Sequence, residues 1–174
     1  MSLVISGKNV LIDGVFQPAT LTIEDGVIVT LTEELSSQPE VIHAGARYVI
    51  PGLIELHTDN HEKYFEPRPG VHWPHIDALI AHDAQLATAG ITTVFDAIAL
   101  GYGVGASNAN RERIAAESIN TLLDIRRQGV FRVDHHIHLR CECSCEGTDA
   151  YFAPWAGVDG IDLVSLMDHA PGQR

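Results

Sequence analysis

The stretch Pro51-Gly52-Leu53-Ile54-Glu55-Leu56-His57-Thr58-Asp59-Asn60-His61-Glu62-Lys63 decides the fold. A Pro-Gly break comes first. An apolar run follows, long enough for a short buried strand, and then the chain turns abruptly to His57, Asp59, His61, Glu62 and Lys63. A buried strand opening onto ionisable groups is how an α/β barrel presents a site at the carboxyl ends of its strands. His57 and Asp59 are two residues apart, so on extended backbone they point the same way. An imidazole nitrogen and a carboxylate oxygen converging there suit a divalent metal such as zinc or manganese. A polar loop with an ordinary hydrogen-bonded histidine is the other reading of the same residues.

Downstream the rhythm is strand, loop, helix. Residues 53–56 form the first expected strand, followed by a long loop through Pro67, Pro69 and Pro74. Ile76, Leu79, Ile80, Ala84, Leu86 and Ala87 mark one face of a helix closed by Gly90. Residues 91–95 are a β-branched second strand ending in Asp96. Gly101, Gly103 and Gly105 make a loop without dinucleotide-fingerprint spacing. Asn110 is placed to cap a second helix carrying Ile114, Ile119, Leu122, Leu123 and Ile125, and Gly129 ends it.

The third strand, 131–142, has a period of two over its second half. Ile137, Leu139 and Cys141 make an apolar face; His136, His138, Arg140 and Glu142 make a polar one, expected to face the barrel lumen. Residues 148–156 suggest a helix with Phe152 and Trp155 in the core, and 161–167 a fourth strand opening onto Asp168 and His169. Four such units in order predict a parallel α/β half-barrel over residues 51–174. Side-by-side strands would bring His57, Asp59, Asp96, Glu142 and His169 to one rim. Residues 3–50 read as short strands at 4–5, 10–12, 19–24, 27–32 and 48–50, with Asp25-Gly26 as a hairpin signal.

The totals bound the function. A closed eight-stranded barrel needs ~250 residues, so a chain of 174 is expected to be the first part of a longer protein. The formal charge of −12, from 11 basic and 23 acidic residues, argues against nucleic acid or an anionic membrane as partner. No apolar run approaches a membrane span and no secretory leader is visible. Cys141, Cys143 and Cys145 are an odd, crowded set, read as reduced thiols rather than disulfides or a zinc cluster. A cytoplasmic setting is therefore expected.

Pro-Gly-hydrophobic-hydrophobic-x-x-His-x-Asp resembles the first-strand signature of the amidohydrolase superfamily, in which His-x-His is usual; here the pair is His57 and Asp59. The run from His57 to Pro74, with the block Ser165-Leu-Met-Asp-His-Ala-Pro-Gly-Gln-Arg174, closely resembles one branch: the diphosphatases of the carbon–phosphorus lyase pathway, over their N-terminal half. The resemblance implies a (β/α)8 hydrolase barrel, of which 51–174 would be the first four units, and a small β-sandwich, of which 1–50 would be the N-terminal part. It implies a small anionic substrate, α-D-ribose 1-methylphosphonate 5-triphosphate, cleaved to the 5-phosphate and pyrophosphate. It implies one or two divalent ions, zinc or manganese, on His57, Asp59, Glu142 and His169, with Asp59, Glu142 and His169 serving catalysis. Glu142 would bridge the ions, or else pair with Arg140 or Lys63. His169 would be a ligand, a phosphate contact or a plain loop histidine. Lys63, Arg140 and Arg174 would meet phosphoryl oxygens, since arginine offers bidentate contacts. Arg68 is read as a surface charge, and His72, His75 and His82 as non-ligands. Homo-oligomerisation fits a sheet with open edges. A cyclic-amide or N-acyl hydrolase, or an inactive half-barrel, are the alternatives.

Overall fold

The computed structural model describes residues 2–101 and 109–169, and the chain divides into two compact units, 1–51 and 52–174. The first unit is one four-stranded sheet. Its strands are β1 (Ser2–Ile12), β2 (Val15–Glu24), β3 (Val27–Thr32) and β4 (Ile42–Val49), in the order β3-β2-β1-β4. β1–β2 and β2–β3 are antiparallel hairpins; β4 joins β1 in parallel. Both hairpins turn on Asp-Gly: Asp13-Gly14 and Asp25-Gly26 all take positive φ, the mirror-image turn that matches strand twist. Val10, Ala19 and Leu21 form the small core. The two strands expected at 4–5 and 10–12 are a single β1, with a register shift between Gly7 and Val10 interrupting its alternation. β4 begins well before the expected Tyr48.

The second unit is a curled parallel sheet with helices on one face. β5 (Leu53–Thr58), β6 (Ile91–Leu100), β7 (Asp134–Glu142) and β8 (Ile161–Met167) lie in sequence order, all parallel. Between them come α1 (His61–Phe65), α2 (His75–Thr88), α3 (Ala109–Gln128) and α4 (Thr148–Phe152), the last running into a 3-10 turn. The half-barrel expected from the strand–helix rhythm is present. The largest core lies between sheet and helices: Ile98 and Leu100 of β6 and Ile137, Leu139 and Cys141 of β7 pack against Leu79 of α2 and Ile119, Leu122 and Ile125 of α3. Phe152 and Trp155 lie against this core, as expected.

Several boundaries differ from the sequence reading. α1 interrupts the loop expected after β5. α2 buries Ala78, Leu79, His82, Asp83 and Leu86, while Ile76 stays exposed. Two ionisable residues inside the buried stripe had hidden its true direction. α3 begins at Ala109, so Asn110 lies inside its first turn rather than at its cap. β7 starts at Asp134, not Phe131. The expected loop glycines 103 and 105 lie outside the described residues.

The largest correction concerns Asp96. β6 does not end there but runs on to Leu100. Asp96 shares parity with Val94, Ile98 and Leu100, the residues facing the helices, so its carboxylate points away from the lumen. It is fully buried, 3.0 Å from His82 Nε2 and 2.6 Å from His135 Nδ1. Burial opposes its ionisation, yet the bonds from His135 and His82 outweigh that and hold the carboxyl well below the usual range.

Candidate active site

The strand ends of the second unit position the site. His57 is the penultimate residue of β5 and Asp59 the first beyond it. Glu142 closes β7, and His169 follows β8 by two residues. Arg140, two before Glu142, shares its face. Parity therefore brings the polar alternation of β7 to the side opposite the helix-packed core, as the strict period of two predicted.

Four of these side chains meet. His169 Nδ1 lies 2.5 Å from Glu142 Oε1. The Arg140 guanidinium stands between two carboxylates: Nη1 is 3.6 Å from Asp59 Oδ2, and Nε is 3.6 Å from Glu142 Oε1. Glu142 is 4 % exposed. Its second oxygen, Oε2, is buried without a hydrogen-bond partner. A carboxylate on Nδ1 selects, in the neutral ring, the tautomer whose Nε2 carries the lone pair, the arrangement of a ligating histidine.

The backbone carrying Glu142 is tied down independently. Thr148 Oγ1 donates to the Glu142 carbonyl at 2.7 Å, and the Cys145 amide donates to the same oxygen at 3.1 Å. The Cys143 amide donates to the carbonyl of Met167 at 2.7 Å, coupling the ends of β7 and β8. The last residues of both strands are thus held by the turn that directly follows β7.

His57 stands apart from this group. Its ring is exposed and packs edge-on against His138, centroids 5.0 Å apart. His138 Nε2 lies 2.7 Å from Ser165 Oγ on β8. Burial and the neighbouring His57 both push the His138 pKa down, so this ring is neutral near pH 7. The sequence reading placed His138 on the lumen face but gave it no role, and nothing pointed to Ser165. Lys63 is exposed and donates to Asn60 Oδ1 at 2.6 Å, not to Glu142. Arg174 lies outside the described residues. The alternative pairing weighed for Glu142, with Arg140, is present alongside its bond to His169.

Behind Asp59, the chain turns into α1. His61 is buried, and burial lowers its pKa to about 4 despite the nearby Asp96 carboxylate. Arg140 and His61 line a cleft of about 140 Å³ together with Glu62, Glu66 and Ser118. On the far side of the sheet His82, Asp96, His135 and Asp83 form a buried chain, anchored outward by Arg132 Nη1 at 2.8 Å from Asp83 Oδ2. His82 is thus a structural partner of Asp96; His75 stacks on Phe65 and pairs with Glu117.

Among the described residues, no three His, Cys, Asp or Glu side chains converge as the ligands of one ion. The donor set nevertheless fits a divalent metal chemically. It offers imidazole nitrogens, carboxylate oxygens and, in Glu142 Oε2, a buried anionic atom with no partner of its own. The described helices include none long and apolar enough to cross a membrane.

No protein-family profile matches the chain. Over 172 residues it is 37 % identical to the alpha-D-ribose 1-methylphosphonate 5-triphosphate diphosphatase of Escherichia coli (strain K12), a match covering 99 % of this chain and 45 % of that protein. Among solved structures it resembles a D-hydantoinase, with TM-score 0.60, 22 % identity, and coverage of 94 % of this chain and 32 % of that one. It also resembles the N-acetyl-D-glucosamine-6-phosphate deacetylase from Mycobacterium smegmatis, with TM-score 0.60, 16 % identity, and coverage of 94 % and 47 %. At such identities these structures speak to fold alone. The chain has the half-barrel fold found in amidohydrolase-type enzymes and resembles the ribose methylphosphonate triphosphate diphosphatase along nearly its whole length, while spanning about half the length of that relative.

Proposed function

We propose that this chain supplies part of the active site of a divalent-metal-dependent hydrolase that cleaves a ribose 1-methylphosphonate 5-triphosphate to the 5-phosphate and pyrophosphate. The observation that carries the reading is the group Asp59–Arg140–Glu142–His169 at the ends of β5, β7 and β8, on a chain that is 37 % identical to a diphosphatase of that substrate. His57, Asp59, Glu142 and His169 would hold zinc or manganese, as one ion or two. When bound, the metal supplies a nucleophile at neutral pH and polarises a phosphoryl oxygen. Glu142 fixes the tautomer of His169 and keeps its lone pair turned outward. Arg140 and Lys63 offset the charge that grows on phosphoryl oxygens as pyrophosphate departs; neither suits protonation of an amide nitrogen, since arginine stays charged at any working pH. Arg174, in the block shared with the diphosphatases, belongs with them.

The test is turnover by the purified, metal-supplemented protein. Ribose 1-methylphosphonate 5-triphosphate, dihydroorotate and an N-acetyl amino sugar phosphate are offered separately. Pyrophosphate from the first, without cleavage of the others, is expected. In Arg140→Ala, kcat/KM falls by about 10–1,000-fold, the scale of one charged transition-state contact. Amide cleavage without pyrophosphate would overturn the reading.

A further inference from the structure

Arg140 holds an unusual place for a substrate-binding arginine. Its guanidinium is lodged between Asp59 and Glu142, the two carboxylates proposed as metal ligands, and it approaches each at 3.6 Å. Those distances are long for charge-assisted hydrogen bonds, which close to ~2.7–2.9 Å. The side chain is 15 % exposed, and its Nε has no hydrogen-bond partner although it is buried. A guanidinium built permanently into an ion pair would sit in a bidentate fork, with its N–H groups satisfied. This one is held by charge and not by geometry.

The guanidinium is also shared. It stands between two carboxylates, Glu142 buried and Asp59 half-exposed, and Glu142 carries the His169 imidazole as well. A divalent ion on the same two groups would neutralise both. It would also repel the guanidinium, because two cations a few ångströms apart at low effective dielectric oppose each other strongly. Arg140 has somewhere to go: it lines the cleft that also contains His61, Ser118 and the carboxylates of Glu62 and Glu66.

We infer that Arg140 is an internal competitor for the metal. It bridges Asp59 and Glu142 until a divalent ion takes the carboxylates, and metal entry drives the guanidinium into the adjacent cleft, toward Glu62 and Glu66. This rests on the metal reading of the site, and it adds an order of events: metal first, then an arginine released from both carboxylates.

The test is metal affinity measured without substrate. Zinc and manganese are titrated into chelator-treated wild type, Arg140→Gln and Arg140→Lys, with bound metal read by competition against a chromophoric chelator. Arg140→Gln is expected to bind metal more tightly, on the order of ten-fold, within the ordinary range of coupling between two ligands of one site. Equal or weaker binding by a folded Arg140→Gln would overturn the inference and leave the metal reading intact. No metal on either the wild type or Arg140→Gln would overturn the metal reading and the inference with it. A second measurement needs no variant. Modification of Arg140 by phenylglyoxal, followed by peptide mass, should be several-fold faster in zinc-loaded wild type than in the zinc-free protein. An unchanged or slower rate would overturn the inference even if Arg140→Gln fails to fold.

Discussion

His135 Nδ1 lies 2.6 Å from Asp96 Oδ2, and neither side chain is exposed to solvent. The pair sits on the helix side of the sheet, with His82 closing on the other carboxylate oxygen. Asp96 therefore stabilises the packing of α2 against β6 and β7, not the chemistry at the strand ends. Removing one partner from a buried ionic network costs about 3–5 kcal/mol because its neighbours are left unsatisfied. Asp96→Asn should lower unfolding free energy on that scale in urea titrations while leaving the metal content of the folded fraction unchanged. Loss of metal at unchanged stability would return Asp96 to the active site.

The same network sets an acid limit. Asp83, like Asp96, is held below the usual carboxylate range: burial opposes ionisation, but the amide of Val133 and the side chain and amide of Arg132 outweigh it. A carboxyl with a depressed folded pKa binds its proton later in the folded state than in the unfolded chain. Its stabilisation is complete above the unfolded value near ~3.9 and fades as pH falls through the folded one. Unfolding free energy should therefore decline steeply below about pH 4, and Asp83→Asn should flatten that decline while lowering stability at pH 7. An acid limb of identical slope in the variant would remove Asp83 from the account.

The contrast between Asp96 and Glu142 shows what was legible. Glu142 ends a strand whose alternation is strict from His136 onward, so its face could be counted from the sequence. Asp96 is followed by Ala97-Ile98-Ala99-Leu100, and alanine's weak strand preference hid the continuation of β6. Once the strand runs on, parity alone turns the Asp96 carboxylate toward the helices. The buried pair His82 and Asp83 was illegible for a related reason. Polar residues enter a helix's buried stripe only when partners await them, and those partners, on β6, β7 and the turn before β7, are remote in sequence. The assembly of Asp59 with Arg140 likewise depends on the stagger of strands, which no local pattern records.

The sheet of the second unit has open edges among the described residues. β5 exposes Leu53, Ile54 and Leu56, and β8 exposes Leu163, Val164 and Leu166. Unpaired strand edges carrying apolar side chains are templates for association. The 174-residue polypeptide should therefore run as an associated species on size exclusion with light scattering. A cooperatively melting monomer would mean that these edges are protected in another way.

The proposed ligands make a metal prediction that is separate from activity. His57→Ala with Asp59→Ala removes two donors from the strand end that opens the site, while His57 is exposed and Asp59 half-exposed, so folding should suffer little. Elemental analysis should find metal lost from the double variant. Equal metal in wild type and variant would take both residues out of the ligand set.

Gly101 links backbone freedom to Glu142. It follows β6 directly, with φ of +84°, a conformation that side chains other than hydrogen adopt only under strain. A Cβ there would collide with Thr148 Oγ1, and it would also crowd the Cys145 side chain. Thr148 cannot yield freely, because that hydroxyl donates to the Glu142 carbonyl at 2.7 Å. Gly101→Ala should thus cost about 1–3 kcal/mol from backbone strain alone. It should also displace the end of β7, and with it the carboxylate that holds His169. Thr148→Val separates the two effects, since it removes the hydroxyl without imposing the strain. We expect Thr148→Val to lower metal affinity with a modest loss of stability, and Gly101→Ala to lower both. If Gly101→Ala destabilises the protein while Thr148→Val binds metal as wild type does, the Thr148 tether has no part in positioning Glu142.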